Sequence, residues 1–347
     1  MRKVLVVDDS ALMRKTMCDI IDSVPGFEVT DICRDGTGAL KAISDKVYDC
    51  IVMNIYLGGV SSISLLRRLR DRRCRTPVIA ITSAVSEDRE MTMQALDAGA
   101  VDVVVRPYFF GDKAGIEKFK TSLLSSLKVA SAGNVSFDFN DSVQHTDKSV
   151  SKRKGHYSLI ALACSTGGPQ ALHTLIPMLP ARIGVPMVVV QHMPAGFTAS
   201  LAERIDQDSK IHVCEAKDQE VLKADTVYIA QGGRHFSIAE NKRGQLIAHI
   251  YDTPPVHNLR PCADVMYESL CRVKANNILC VVLTGMGADG TEGIGKLKDC
   301  KNIYTISQDE KSSVVYGMPR SVHDKGLSDE VKPLKEIAKA ITRELGV

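Results

Sequence analysis

Short apolar runs alternate with amphipathic stretches over the first third of the chain. The apolar runs have the length of single β-strands and read KVLVV, FEVTDIC, DCIVMN, PVIAIT and VDVVV. The stretches that follow them have the apolar spacing of helices and read ALMRKTMCDIIDSV, TGALKAIS, SISLLRRLRDR, EDREMTMQALDAG and KAGIEKFKTSLLSSLKVA. Parallel strands need crossover connections, so this alternation predicts a doubly wound parallel sheet in residues 1–125.

The regular pattern is lost in the middle of the chain and then returns. Its loss, together with a run rich in Ser, Asn, Asp and Lys, predicts a linker over residues 126–155. Beyond it the alternation resumes with HYSLIALAC, PQALHTLIPML, VPMVVVQHM, ILCVVLTGM and NIYTIS. We therefore predict a second, larger α/β domain over residues 156–347, also built on a doubly wound parallel sheet.

Composition supports two domains and excludes little else. A chain of 347 residues suits two cores, and its 44% hydrophobic and 24% charged residues are typical of a soluble globular protein. The formal net charge of +3 calls for neither nucleic acid nor a membrane as partner. No apolar run approaches the length of a membrane span or of a signal-peptide core, and the ten cysteines form no C-x-x-C motif. These features predict a cytoplasmic protein with reduced thiols.

The segment SLIALACSTGGPQALHTLI places a serine at the end of an apolar run. It predicts a buried strand, a glycine turn and a helix with Pro169 near its first position, where a missing N–H costs nothing. Ser165 then lies at the carboxyl end of a strand, where open α/β sheets bind ligands and helix N–H groups stabilise an oxyanion. Strand alternation points the preceding Cys164 away. A phosphate-binding or merely tight glycine turn remains the alternative for this motif alone.

Two further polar residues follow apolar runs at the same predicted sheet edge. VPMVVVQHM contains His192 near its end, and the run ILCVVLTGM leads to Asp289. A serine is a poor nucleophile until an imidazole accepts its proton, and a carboxylate can orient that imidazole. A lone histidine would more often be structural, but three such residues at three strand ends predict a hydrolytic triad of Ser165, His192 and Asp289.

A competing motif overlaps this site. Gly285, Gly287 and Gly290 satisfy G-x-G-x-x-G after a strand, and Asp309 and Glu310 lie about 20 residues farther on, as in a dinucleotide-binding domain. The motif comes late in the chain, however, and it leaves the serine and the histidine unexplained. A dinucleotide-dependent enzyme is therefore kept as a minor alternative.

Five motifs occur in the order CSTGGPQAL, VVVQHMPAGFT, PPVHNLRPCADVMYESL, LTGMGADG and VVYGMPR. Together they resemble the catalytic domain of the chemotaxis protein-glutamate methylesterase (CheB) family over residues 156–347. The resemblance implies that Ser165 is the nucleophile, that His192 is the general base and then the acid, and that Asp289 orients it. It also implies that backbone N–H groups near Thr166 and Met286 stabilise the oxyanion.

The same resemblance implies a substrate class. It predicts hydrolysis of γ-glutamyl methyl esters on methyl-accepting chemotaxis receptors, with methanol released, and deamidation of receptor glutamines as a second reaction. Both are acyl transfers through an acyl-serine, so one triad can serve both without a cofactor. Leu259 and Cys262 stand where the family has histidine and serine, while Arg260 and Asp264 remain. This departure predicts a changed substrate groove or rate, with the triad untouched.

Residues 1–125 resemble a response-regulator receiver, which is a flavodoxin-like domain. Asp8 and Asp9 follow the first strand as the metal-binding acids of receivers do, and Thr82 ends the fourth strand. Asn54, however, stands where the phosphate-accepting aspartate belongs, and a carboxamide forms no acyl phosphate. Arg106 replaces a lysine, whose point charge a forked guanidinium does not reproduce.

These two departures predict loss of phosphate control in the receiver. Asn54 brings one less negative charge to a magnesium site, so Mg²⁺ binding by Asp8 and Asp9 is left open against a solvated acidic loop. In the family the unphosphorylated receiver covers the active site. We therefore predict a chain that is either weakly active without phosphorylation or gated by a partner, with a chemotaxis histidine kinase as one candidate.

Six arginines in LLRRLRDRRCRTP form the strongest local charge signal. A solvated helix end explains it, and an acidic docking partner is the alternative; a cluster this short in a nearly neutral chain does not indicate nucleic-acid binding. The degenerate receiver also leaves open a second class of function, a non-catalytic adaptor that binds receptors or a kinase.

Overall fold

All strands of the N-terminal unit are parallel, and helices connect them. In this computed structural model the described residues are 1–72, 74, 76–83, 88–107, 112–130 and 156–347. The elements of the first unit are β1 Arg2–Val7, α1 Ala11–Asp22, β2 Phe27–Cys33, α2 Gly36–Asp45, β3 Cys50–Asn54, α3 Ser62–Asp71, β4 Val78–Thr82, α4 Asp88–Ala98, β5 Asp102–Val105 and α5 Lys113–Ala130. The strand order β2-β1-β3-β4-β5 confirms the predicted doubly wound sheet.

Burial and capping explain why these segments form these elements. Every residue of β3 and β4 is buried, as expected for parallel strands that helices cover on both faces. Ser10 and Asp35 begin α1 and α2 by accepting the N–H groups of Met13 and Gly38. The strand order reverses between β1 and β3, so the ends of these two strands border the crevice where such sheets bind ligands.

The boundary between the units differs slightly from the predicted one. The chain divides into Met1–Phe137 and Asp138–Val347, and the division falls inside the predicted linker. Helix α5 continues past residue 125 to Ala130 because its apolar spacing persists, with Leu123 and Leu127 buried. Residues 126–130 are therefore helical, and the rest of the predicted linker lies outside the described residues.

The C-terminal unit is built on a larger parallel sheet. Its elements are β6 Leu159–Cys164, α6 Gly168–Leu175, β7 Met187–Gln191, α7 Phe197–Asp208, β8 His212–Glu215, β9 Thr226–Ile229, β10 His235–Glu240, β11 Leu246–Tyr251, α8 Ala263–Ser269, β12 Asn277–Val282, α9 Thr291–Cys300, β13 Asn302–Gln308, α10 Met318–Asp324, β14 Glu330–Lys332 and α11 Leu334–Leu345. Seven strands pair in the order β14-β13-β12-β6-β7-β9-β8, and every pair is parallel. The predicted second sheet is thereby confirmed.

Two features of this unit were not expected from the pattern. The strands β10 and β11 form a separate antiparallel hairpin. The predicted helix over residues 169–179 ends as an α-helix at Leu175 and continues as a 3-10 turn over Ile176–Met178, where Pro177 supplies no N–H for an α-helical bond. Neither feature disturbs the centre of the sheet, where β6 lies between β12 and β7.

Candidate functional site

Ser165 follows the last residue of the central strand β6 and begins a tight turn. Its N–H donates to the carbonyl of Thr284 at 3.0 Å, and its own carbonyl accepts from Gly168 N–H at 2.7 Å. Gly167 has a φ of +76°, a left-handed value that favours glycine. The turn thus holds the serine at the carboxyl edge of the sheet, directly before α6, and within the described residues its hydroxyl has no hydrogen-bond partner.

His192 stands at the same edge, one strand away. Cys164 pairs with Gln191 at the ends of β6 and β7, and His192 N–H donates to the carbonyl of Cys164 at 3.1 Å. Neighbouring strands lie about 4.8 Å apart, so Ser165 and His192 leave the sheet side by side. The predicted proximity of these two residues therefore has a direct structural basis.

Gln191 connects the turns that carry the serine and the histidine, although sequence analysis did not single it out. This residue is almost completely buried, and its carboxamide nitrogen lies 3.0 Å from the carbonyl oxygens of both Ser165 and His192. Its carboxamide oxygen accepts from the thiol of Cys164 at 3.0 Å. Burial also raises the pKa of Cys164, so this thiol is a structural donor and not a nucleophile.

The third predicted residue meets the histidine directly. Asp289 Oδ2 lies 2.7 Å from His192 Nε2, and the two side chains are only 3% and 8% exposed. Asp289 comes from the loop after β12, the strand on the other side of β6. The contact leaves His192 Nδ1 as the ring nitrogen that can accept a proton from another group.

Two carboxylates hold the ends of two helices together behind the histidine. Asp289, just before α9, accepts the N–H groups of Ala263 at 2.6 Å and Asp264 at 2.9 Å in the first turn of α8. In return Asp264 accepts the N–H groups of Gly290 at 3.0 Å and Gly293 at 2.6 Å at the start of α9. Each carboxylate therefore satisfies N–H groups that a helix start leaves unpaired, and the loop that carries Asp289 is fixed.

The pKa values of these two carboxyl groups are shifted in opposite directions. Burial works to raise the pKa of Asp289, but the hydrogen bond and charge of His192 and the two α8 N–H groups lower that pKa well below its usual range. Burial raises the pKa of Asp264 to about 6, and the nearby charge of Asp289 adds to this effect. Asp289 consequently stays ionised far below neutral pH, whereas Asp264 takes up a proton as the pH falls through about 6.

The predicted oxyanion residues border the serine. Thr166 is the next residue in the chain, and its carbonyl accepts from the hydroxyl of Thr284 at 2.9 Å. Met286 follows Gly285, where an added Cβ would come within 2.8 Å of Ser165 Cβ and 2.3 Å of Met318 Sδ. The peptides that follow Ser165 and Gly285 therefore belong to one small region, and the oxyanion role of their N–H groups remains a prediction.

Two of the three glycines of the competing dinucleotide motif are explained by packing within the protein. Gly285 approaches the serine, and an added Cβ at Gly290 would lie 3.2 Å from the ring of Tyr267. Asp289, between them in the chain, faces His192. The close approaches that glycine permits here are thus made to protein atoms of the described residues.

The receiver pocket lies at the carboxyl edge of the other sheet. Asp8 and Asp9 follow β1, Asn54 ends β3 and Thr82 ends β4. The Arg106 N–H donates to the Thr82 carbonyl at 2.7 Å, and the Thr82 hydroxyl lies 2.9 Å from that of Thr92. The predicted pocket residues therefore end or directly follow strands of this sheet.

Asn54 changes what this pocket offers to a cation. Its amide donates to Asp9 Oδ1 at 3.1 Å, and its oxygen accepts from Tyr56 N–H at 3.2 Å. Asp8 Oδ2 is buried and receives no hydrogen bond within the described residues, so this oxygen fits a cation. Asp8 and Asp9 would hold a magnesium ion, with fewer negative charges than a third carboxylate would give.

The buried carboxyl of Asp8 predicts a pH-dependent stability of the N-terminal unit. Burial raises its pKa to about 6, while Ser10 N–H opposes the shift and the charge of Asp9 adds to it. Below its unfolded pKa of about 3.9 this carboxyl is protonated in both the folded and the unfolded state, so its burial does not lower the free energy of unfolding. As the pH rises, ionisation of the buried carboxyl lowers the free energy of unfolding. The decrease is complete above about pH 6 and amounts to about 1–3 kcal/mol.

Asp8→Asn is therefore expected to raise the melting temperature of this unit by several degrees at pH 7.5, because the amide carries no charge to desolvate. The same substitution should change little at pH 4. Calorimetry of the full chain at both pH values measures the effect, and Asp45→Asn, which removes an exposed charge, is the matched control. An equal shift at both pH values would contradict the proposed cause.

The arginine cluster is only partly described. The side chains of Arg67, Arg68, Arg70 and Arg72 are exposed at the end of α3 and just beyond it, whereas Arg73 and Arg75 lie outside the described residues. The docking of an acidic partner here stays a prediction. Across the part of the chain that is described, no helix is both long and apolar enough to cross a membrane.

Comparison with known proteins covers both units. The CheB methylesterase family profile matches residues 160–341, and the response regulator receiver domain profile matches residues 4–112. A Geobacillus kaustophilus protein named protein-glutamate methylesterase/protein-glutamine glutaminase is 38% identical over 99% of each chain. A Bacillus subtilis protein of the same name is 35% identical over 99% of this chain and 98% of its own.

A solved structure is also similar to the C-terminal unit. The crystal structure of the Thermotoga maritima CheB methylesterase catalytic domain is 37% identical, with a TM-score of 0.51. The match covers 98% of that domain and 54% of this chain. The relatives thus share both the receiver and the catalytic parts, and the solved domain shares the fold that carries Ser165, His192 and Asp289.

Proposed function

The chain belongs to the CheB methylesterase family, and from this premise we propose that it hydrolyses γ-glutamyl methyl esters on methyl-accepting chemotaxis receptors and releases methanol. Deamidation of receptor glutamines is the second proposed reaction. The observation that carries the proposal is the buried 2.7 Å contact between His192 and Asp289 at the sheet edge beside Ser165. No cofactor takes part in the proposed reaction.

The proposed chemistry has two acyl-transfer steps. Ser165 Oγ attacks the ester carbonyl while His192 Nδ1 takes its proton, and the resulting imidazolium returns the proton to the methoxide, which leaves as methanol. Water then attacks the acyl-serine with His192 again as base; the bond between the acyl carbon and Ser165 Oγ breaks, the imidazolium returns its proton to Ser165 Oγ, and the product leaves as the glutamate carboxylate. Asp289 stays ionised throughout and stabilises the imidazolium.

The developing negative charge needs donors close to the serine. We assign these to the N–H groups of Thr166 and Met286, because one residue follows Ser165 and the other follows the glycine that packs against it. An ester and a primary amide pass through similar tetrahedral intermediates. The same donors would therefore serve both proposed reactions.

The proposed receiver function is regulation without phosphorylation. Asn54 is engaged with Asp9 and supplies no carboxylate to attack phosphorus. Magnesium binding by Asp8 and Asp9 would be weak. A partner such as the chemotaxis histidine kinase would then control the catalytic unit, or the chain would have a low constant activity.

Methanol release from methylated receptor membranes tests this function. The full chain should release methanol from them and none from unmethylated membranes, and a small phosphodonor with magnesium should leave the rate unchanged. Absence of methanol together with sedimentation of the chain on the membranes would favour the adaptor. A large rise in melting temperature on addition of a dinucleotide would favour a dinucleotide-dependent enzyme.

A further inference from the structure

Cys262 contacts the carboxylate of the proposed triad from a position that the reaction does not use. The residue precedes α8, is completely buried, and places its Sγ 3.1 Å from Asp289 Oδ1. A thiol is a weak donor, and an ionised carboxylate is a strong acceptor. The short distance therefore marks a charge-assisted S–H···O bond and not a chance contact.

The other bonds to Asp289 show why this thiol matters. Oδ2 receives Ala263 N–H and contacts His192, while Oδ1 receives Asp264 N–H and Gly290 N–H together with the thiol. The N–H donors belong to the backbone and are the same for any side chain. Among the described residues, Cys262 and His192 are thus the side chains whose chemistry sets the hydrogen bonding of this carboxylate.

We propose that Cys262 is a positioning residue of the triad, and that its weak thiol bond keeps Asp289 a stronger partner for the protonated His192 than a hydroxyl at this position would. The proposal rests on the proposed function, because it needs the triad to be the hydrolytic centre. Donors on Oδ1 disperse the carboxylate charge. A stronger donor would leave less charge on Oδ2 to stabilise the imidazolium, and the absence of a donor would leave more.

The thiol itself remains protonated in this site. Burial raises the pKa of Cys262, and the negative charge of Asp289 raises it further. The other titratable groups of the described residues that face Asp289 are His192, Asp264 and Tyr267. The Tyr267 hydroxyl donates to the carbonyls of Ala161 and Val281, while Asp264 is held by α9 N–H groups. Substitution at Cys262 therefore changes one donor and leaves these contacts in place.

The pH dependence of kcat/KM separates this role from a purely structural one. Its acid limb reports the protonation of the essential base in the free enzyme. Cys262→Ala removes the donor, so the acid limb should move up by about half a pH unit. Cys262→Ser supplies a stronger donor in nearly the same volume, so the limb should move down by a similar amount.

The closing experiment measures methanol release across pH for the full-length wild type, both Cys262 variants and Cys280→Ala, which removes another buried thiol of the same unit. Opposite shifts in the two Cys262 variants and none in Cys280→Ala support the proposal. If both Cys262 variants are active but their acid limbs shift equally or not at all, the role of Cys262 is overturned and the proposed function stands. If the wild type releases no methanol, the proposed function is overturned as well.

The infrared S–H stretching band gives a readout that needs no activity. The wild-type minus Cys262→Ala difference spectrum should show the band of one strongly hydrogen-bonded thiol. Asp289→Asn should shift this band towards that of a weaker bond, because a neutral amide oxygen is a poorer acceptor than a carboxylate. A band unaffected by Asp289→Asn would overturn the contact itself.

Discussion

Ser165→Ala is expected to lower methanol release from methylated receptors by about 10³–10⁶-fold, with the protein still folded. The side chain is partly exposed at the end of a buried strand, so removal of its oxygen leaves no buried group unsatisfied. The loss should appear in kcat more than in KM, because the hydroxyl forms the acyl bond and contributes little to binding of a large protein substrate. Any residual rate would come from the oxyanion donors and substrate binding.

A matched serine controls for the loss of a hydroxyl in the same unit. Ser209 directly follows α7, and its buried Oγ has no hydrogen-bond partner within the described residues, so Ser209→Ala should retain wild-type activity. Both variants should unfold at temperatures close to that of the wild type. Persistent methanol release by Ser165→Ala would show that the acyl group is carried elsewhere and that the triad assignment is wrong.

The sheet edge explains why three distant residues could be recognised from the sequence. Ser165, His192 and Asp289 each follow an apolar run, and the carboxyl ends of parallel strands share one edge. The sequence does not reveal the strand order, and β12-β6-β7 brings these three runs together as neighbours. The apolar runs therefore predicted the edge, and the pairing of the strands determined the proximity.

The residues that hold the site were harder to predict because their signals are those of ordinary core positions. Gln191 looks like the polar end of a buried strand, and its contact with two carbonyls depends on the exact height at which β6 and β7 pair. The reciprocal bonds of Asp264 and Asp289 depend on how α8 and α9 approach each other. Such contacts arise from tertiary packing, which no local periodicity encodes.

In the N-terminal unit, by contrast, the predicted loss of phosphorylation depends on the identity of a single residue. The strands and helices around Asn54 match the predicted pattern closely, so the fold does not reveal any loss of phosphorylation. The pocket differs from one with an aspartate at this position in a single functional group, an amide in place of a carboxylate. An amide at this position donates a hydrogen bond to Asp9, whereas a carboxylate there would repel it.

This difference predicts a gain of function from one substitution. The wild type should incorporate no phosphate from a small phosphodonor with magnesium, and Asn54→Asp should incorporate it stoichiometrically. The new carboxylate oxygen would attack phosphorus and form an acyl phosphate as the leaving group of the donor departs. The substitution would also remove the hydrogen bond that the Asn54 amide donates to Asp9. It would add the missing negative charge for magnesium beside Asp8.

Three comparisons make the result specific to this carboxylate. Asn54→Gln keeps an amide and should incorporate no phosphate, and removal of magnesium with a chelator should prevent labelling of Asn54→Asp. Arg106 stands where a lysine is expected, so Asn54→Asp combined with Arg106→Lys should be labelled faster, because a compact ammonium pairs with phosphate as a point charge. Stoichiometric labelling of the wild-type receiver would instead show that another residue accepts the phosphoryl group, and that Asn54 does not abolish phosphate control.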